Sequence, residues 1–396
     1  MSLATLAPKS AFDTPGTLPA ARLVAAGVVA AIALAALTAT GSGRLVLLGV
    51  IGLAMGLALY HAAFGFSHGY RALLAEGRTA HVRAQILMLA AAVLLFLPAL
   101  TMGEVFGRPV RGFVFPLGLG VVLGAFAFGL GMQIAGGCIS GTLYSAGGGS
   151  LRMWITLASA VAGATLAAFA APLWEGLPQW PAVSLPAVLG LGPALLLHAA
   201  LFAGAYAGLL ALERRRTGGV ESIGGRGRWL SGPWPYAWAA LALAVLNFAT
   251  LVVAGRPWGV TQAFALWGSK AMEAAGLADP VFWAFWEEPT RVETLMRPLA
   301  ADATTVMNLA VMAGALGAAL LAGRFAPSLR IPAGAVLGSV LGGLMIGAGA
   351  IVATGCNISA FFSGIASGSL HGWLWIAAAL PGAWLGVKIR PLFGLT

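Results

Sequence analysis

Charge is scarce in this sequence. Asp, Glu, Lys and Arg together make up 9% of its 396 residues, where soluble domains use about a quarter. With 60% hydrophobic residues the chain cannot clothe a soluble surface and reads as an integral membrane protein. Alternating segments of about ten residues are missing too, which excludes a spanning β-barrel. No GxxxxGK loop is present, so no nucleotide site on this chain drives a reaction. The five histidines are scattered, and neither histidine nor carboxylate lies close in sequence to either of the two cysteines, Cys138 and Cys356. A metal centre on those thiols therefore lacks ligands. Ionisable groups inside the apolar runs are rare, His61 and His198 being the apparent exceptions, which argues against a pump-type proton relay. No cofactor is implied, and the protein is not expected to be an enzyme.

What fills the chain is a series of apolar runs, each near the ~20 residues that cross a hydrocarbon core as a helix. They cover 22–41, 44–63, 84–101, 112–134, 151–171, 190–212, 236–254, 305–322, 333–353 and 372–387. The fold class is all-α membrane with about ten crossings. Two shorter pieces, 64–74 and 258–275, do not fit as full spans. The first 21 residues hold Lys9 and Asp13 without an apolar core and are expected to be a flexible leader, not a cleavable signal.

The formal charge of +10 does not point to nucleic acid in so apolar a chain. It follows from the enrichment of Lys and Arg in cytoplasmic loops. Arg214, Arg215, Arg216, Arg226 and Arg228 crowd one loop. Placed in the cytoplasm, that loop puts 15 of the 22 basic residues on the same side and both termini inside. The chain then divides into an N-terminal half, 22–212, a basic loop, 213–235, and a C-terminal half, 236–396. Between Arg256 and Asp302 an outer segment carries Phe282, Trp283, Phe285 and Trp286 beside Glu287 and Glu288. That composition suits the membrane interface or, alternatively, a lid over an entrance.

The halves repeat. At an offset of 218, Gly120, Gly124, Gly129, Gly131, Gly137 and Cys138 coincide with Gly338, Gly342, Gly347, Gly349, Gly355 and Cys356. One inserted residue later, Gly149-Ser150-Leu151 and Trp154 coincide with Gly368-Ser369-Leu370 and Trp373. More weakly, 64–70 resembles 258–264, pairing Ser67 with Thr261 and His68 with Gln262. The repeat cores run 44–171 and 236–390. Charge alternation brings the first cysteine unit in from outside and the second from inside, so the repeats are expected to be inverted, with a site at their interface. The short pieces and the stretches after each cysteine then read as broken or re-entrant helices, whose N-terminal ends favour an anion.

Both cysteines sit among small residues, in GGCISG at 136–141 and TGCNIS at 354–359. They read as small buried hydrophobes, as a disulfide, or as paired functional thiols. Their shared place in the repeat favours the last. A thiol is soft, polarizable and a weak donor, suited to a sulfur-bearing substrate. Gln133, Ser140, Thr142, Tyr144, Thr354, Asn357, Ser359 and Ser363 offer hydrogen bonds to anionic oxygens, or serve packing alone. His68 and His371 stand in the broken-helix and cysteine regions, and Lys270 stands near the outer interface.

These two motifs, the glycine ladder before each and the trailing GSL..W resemble the YeeE/YedE family of sulfur transport proteins over roughly 44–390. The resemblance implies an hourglass of inverted repeats in the bacterial inner membrane that takes up a sulfur anion, most readily thiosulfate. It implies relay thiols at Cys138 and Cys356, with Gly137, Ser140, Gly355, Asn357, Ser67, His68 and Gln262 along the path. It implies as partners the lipid bilayer and a small TusA-like cytoplasmic sulfur carrier. Family members can carry a further cysteine nearer an entrance, which this chain lacks; Ser67 or His68 would act at that level. Two other readings stay open: an anion channel whose cysteines merely pack, and a selenium- or sulfur-transfer subunit that uses a cysteine persulfide.

Overall fold

The structure, a computed structural model, describes residues 20–395. Its helices are α1 (Ala20–Thr38), α2 (Gly43–His61), α3 (Phe66–Arg71), α4 (Ala80–Met102), α5 (Leu119–Ala135), α6 (Ile139–Gly147), α7 (Leu151–Phe169), α8 (Ala171–Trp174), α9 (Leu185–Leu189) and α10 (Leu191–Thr217) in the first half. The second half holds α11 (Tyr236–Ala254), α12 (Gln262–Ala274), α13 (Pro289–Met296), α14 (Ala303–Ala322), α15 (Ala333–Val352), α16 (Ser363–Ala366) and α17 (Leu370–Ile389). Ten stretches among the described residues are long and apolar enough to cross a membrane. β-structure there is limited to two antiparallel pairs of two-residue strands and an isolated Ser184–Ser369 bridge. The chain is an all-α, multi-pass membrane protein.

Its packing is symmetric between the halves, residue by residue. A Cβ on Gly129 of α5 would collide with the Ala379 carbonyl of α17; at its repeat mate, Gly347 of α15, it would collide with the Ala160 carbonyl of α7. Gly163 abuts Leu344 just as Gly382 abuts Phe126. Lipid offers helices no hydrophobic incentive to associate, so van der Waals contact between backbones must hold them, and only glycine lets them approach this far.

Directions follow from the same contacts. Along the α5–α15 seam Gly124 meets Gly349 and Gly131 meets Gly342, so these equivalent helices run antiparallel. A two-fold axis relating antiparallel spans is perpendicular to them and lies in the membrane plane: the repeats are inverted. The α5–α17 and α7–α15 contacts are parallel, as that axis requires. Helices α1 and α10, which have no repeat mate, lie at the periphery and are little buried.

Four boundaries differ from the sequence reading. Residues 111–116 are not helical: Arg111 and Phe113 donate their backbone N–H groups to the Gly255 carbonyl and to Ser367 Oγ, and α5 starts only at Leu119. Helix α4 starts at Ala80, not residue 84, because Arg83 is buried against Glu213 at 2.9 Å and Thr79 at 2.9 Å instead of facing water. Helix α10 runs through Glu213 to Thr217, where Gly218 (φ +75°) caps it; Arg214, Arg215 and Arg216 occupy its last turn, where the helix dipole favours cations. The proposed leader lies outside the described residues except for Ala20 and Ala21, which are already helical.

Candidate substrate site at the repeat interface

Each cysteine is the N-cap of a short helix. Cys138 Sγ accepts from the Gly141 N–H at 3.4 Å at the head of α6. Cys356 Sγ accepts from the Ile358 N–H at 3.4 Å, at the head of a π-helical stretch, Asn357–Phe362, that runs into α16. The partial positive charge of a helix N-terminus is thus aimed at each thiol. Both cysteines are free, which removes the disulfide reading, and both are 1% exposed.

The turns that set this geometry need glycine. Gly136 ends α5 at φ +81°, and Gly355 precedes Cys356 at φ +150°. A Cβ on Gly355 would lie 2.5 Å from Ser359 Oγ and 2.7 Å from the Ala360 nitrogen. Thr354 takes φ +58° with a branched side chain, a conformation that costs about 1–2 kcal/mol. Its hydroxyl lies 2.7 Å from His371 Nε2 and donates to the Ala353 carbonyl. The Trp375 indole N–H closes the bend on the Gly355 carbonyl at 3.0 Å.

Hydroxyl groups attend both thiols. Ser140 Oγ is 3.4 Å from Cys138 Sγ; Ser359 Oγ is 3.6 Å from Cys356 Sγ and accepts from the Cys356 N–H. Each thiol stands within electrostatic reach of the other. Tyr70 of α3 faces the Asn357 amide and is within the same reach of Cys138. Aromatic rings wall the region: Phe66 meets Phe361 edge-on and Phe361 stacks on Trp375.

Two cavities border the cysteine units. One, of about 380 Å³, is lined by Thr261, Gln262, Thr354, Glu175, Phe285 and Arg291. Thr261 Oγ1 lies 3.5 Å from Ser359 Oγ, so hydroxyls lead from that cavity to Cys356. The other, of about 550 Å³, is lined by Ser145, Ser150, Arg152, Arg324 and Arg330 beyond α6. Neither thiol lines either cavity.

The structure gathers Gly137, Ser140, Gly355 and Asn357 with the thiols. Gln262 sits in the first cavity, accepting from Arg256 at 2.7 Å. Ser67 does not stand free to replace a thiol: it donates to the Met132 carbonyl at 2.8 Å, while Gln133 donates to the Ser67 carbonyl, so the pair braces α3 on α5. His68 is exposed, with Nδ1 3.0 Å from Arg71. His198 is structural, bonding the Ala194 carbonyl. Lys270 faces Glu273 at 4.0 Å.

Sequence reasoning missed Tyr70 and the Arg291–Glu175 pair. Tyr70 was signalled by the repeat of 64–70 alone. Arg291 belongs to the segment read mainly as interfacial, and there the structure differs: of its four aromatics at 282–286, Trp283, Phe285 and Trp286 are buried and Phe282 is exposed. Trp286 donates to Ser269 Oγ at 3.1 Å, and Trp283 packs on Phe169. The segment straps over the cavity, lining it through Phe285 and Arg291. Arg291 holds it there, bonding Glu175 at 3.1 Å and lying over the Phe285 ring.

The family described as sulphur transport matches residues 61–385, which includes both cysteine units. The chain belongs to the sulphur transport family. Within it, a thiosulfate transporter, TsuA, of Spirochaeta thermophila is 28% identical over 85% of this chain and 96% of its own length. The TsuA of Escherichia coli is 26% identical over 69% of this chain and 76% of its own. The probable transporter YedE of Salmonella typhimurium is 31% identical, but the match spans 42% of this chain and 40% of YedE.

Proposed function

We propose that this protein carries thiosulfate, or a closely related small sulfur anion, across the bacterial inner membrane and passes it between Cys356 and Cys138. The carrying observation is the pair of helix-capping thiols that the inverted repeat builds twice and brings together. Membership of the sulphur transport family and the likeness to two thiosulfate transporters support the choice of substrate. The enrichment of arginine on the face that bears Arg152, Arg324 and Arg330 supports its placement in the cytoplasm, with both termini.

Chemically, a protonated thiol donates S–H to the terminal sulfur of the anion, a soft-to-soft contact, and no covalent bond forms or breaks. A helix end contributes up to about 2 kcal/mol toward an anion, and each hydrogen bond to a charged group about 1.5–3 kcal/mol. Several such terms must act together to offset dehydration. The anion enters through the cavity under the strap and leaves intact at the basic face, where the thiolate of a TusA-like carrier takes its outer sulfur as a persulfide and sulfite is released.

A strain without other sulfate or thiosulfate uptake, grown on thiosulfate as sole sulfur source, tests the function. Rescue by this protein is expected; failure to grow would refute it. Arg291 gathers anions at the entrance, with Glu175 as its resident competitor. Arg291→Ala is therefore expected to raise the half-saturating thiosulfate concentration severalfold, more at low than at high ionic strength, and Glu175→Gln to lower it. Uptake kinetics in proteoliposomes at two salt concentrations check both signs.

A further inference from the structure

The thiols serve the sulfur end of such an anion and leave its oxygens unattended. Close by, polar atoms are buried without a hydrogen-bond partner among the described residues: Tyr70 Oη, both ends of the Asn357 amide, and Thr142 Oγ1. Tyr70 is 2% exposed, and Asn357 and Thr142 are 0% exposed. Buried polar groups are overwhelmingly hydrogen-bonded, because leaving one unmade forfeits its hydration. A phenylalanine or leucine would pack at these positions without that loss.

Packing does not explain Asn357. Asn247, a buried asparagine elsewhere in the membrane, ties its amide N–H to the Leu243 carbonyl in its own helix; Asn357 bonds at neither end. Its amide faces the Tyr70 hydroxyl without a completed hydrogen bond. Asn357 follows Cys356 directly, Tyr70 stands within electrostatic reach of Cys138, and Thr142 lies one turn into α6 with its Oγ1 beside Gly137. Tyr70 comes from the first half and Asn357 from the second, so the donor pair exists only where the repeats meet.

We propose that the Tyr70 hydroxyl and the Asn357 amide N–H groups bind the oxygens of a sulfur oxyanion, with Thr142 assisting on the Cys138 side, while the thiols take its terminal sulfur. This rests on the transport reading and adds a discrimination to it: the site selects an anion with oxygens at one end and a soft sulfur at the other. An oxygen-free sulfide meets only the thiols, and sulfate meets only the oxygen donors.

Thermal unfolding of the purified full chain in detergent, with and without sodium thiosulfate, tests it. Without ligand, Tyr70→Phe is expected to melt at or above the wild-type temperature, because it removes a hydroxyl that bonds nothing. With ligand, reaching the wild-type stabilisation should take at least about tenfold more thiosulfate, the loss of one hydrogen bond to a charged group. Asn357→Leu should show the same loss, and sulfate should stabilise the wild type less than thiosulfate does. A Tyr70→Phe protein with an unchanged thiosulfate response, or one that melts several degrees lower without ligand, overturns the donor assignment alone. Wild-type protein that thiosulfate does not stabilise overturns both the assignment and the transport reading beneath it.

Discussion

Replacing Cys138 or Cys356 by alanine is expected to cut thiosulfate uptake by about 10- to 100-fold, the loss of a charge-assisted hydrogen bond worth about 1.5–3 kcal/mol. The fold should survive. Each substitution also deletes a cap acceptor, for the Gly141 or the Ile358 N–H, which costs about 0.5–2 kcal/mol. Two features make this more than a test of importance. Because the two sites are repeat mates, the two alanine variants should fall by similar factors. Serine keeps a donor but not a soft one, so Cys→Ser at either position should recover only part of the loss. Radiolabelled thiosulfate uptake in proteoliposomes measures all four variants. Wild-type uptake by either alanine variant would reduce the cysteines to packing, which is the anion-channel reading.

The second large effect concerns assembly. Alanine at Gly129 or Gly347 is expected to destabilise the protein by about 1–3 kcal/mol or more, since a Cβ there must displace a backbone carbonyl of the neighbouring span, not a yielding side chain. The two costs should match, because the Ala379 and Ala160 carbonyls they strike are themselves repeat mates. Gly204 and Gly208 of α10 provide the contrast. Nothing lies within 4 Å of a Cβ at either position, so alanine there should be neutral or stabilising by up to about 1 kcal/mol through helix propensity. Detergent melting temperatures of the four variants separate the classes.

Those glycines also explain why so much of the fold was legible. Close backbone approach in a membrane demands small residues at fixed spacing, so the α5–α15 seam is written into both copies as the same ladder, and it ends on the cysteines it positions. The structure's parallel and antiparallel contacts also reproduce the alternation of crossings inferred from the arginine content.

Other features depend on partners remote in sequence. Nothing local to residues 111–116 announces that Gly255 and Ser367 will take their N–H groups and delay α5. Arg83 looked like a helix boundary because its partner, Glu213, is 130 residues away. The aromatic segment 282–286 has an interfacial composition, yet Ser269 and Phe169 bury its tryptophans. Ser67 and Tyr70 lie three residues apart on α3, where sequence gives no reason to prefer one; the structure spends Ser67 on bracing α5 and leaves Tyr70 facing Asn357.

The central claim is that the anion passes between the thiols of the two repeats. An experimental structure of the protein equilibrated with thiosulfate tests it most directly. The account predicts density for the ion between Cys138 and Cys356, its terminal sulfur toward the thiols. Density confined to the cavity by Arg291, with the space between the thiols filled by apolar side chains, would contradict it.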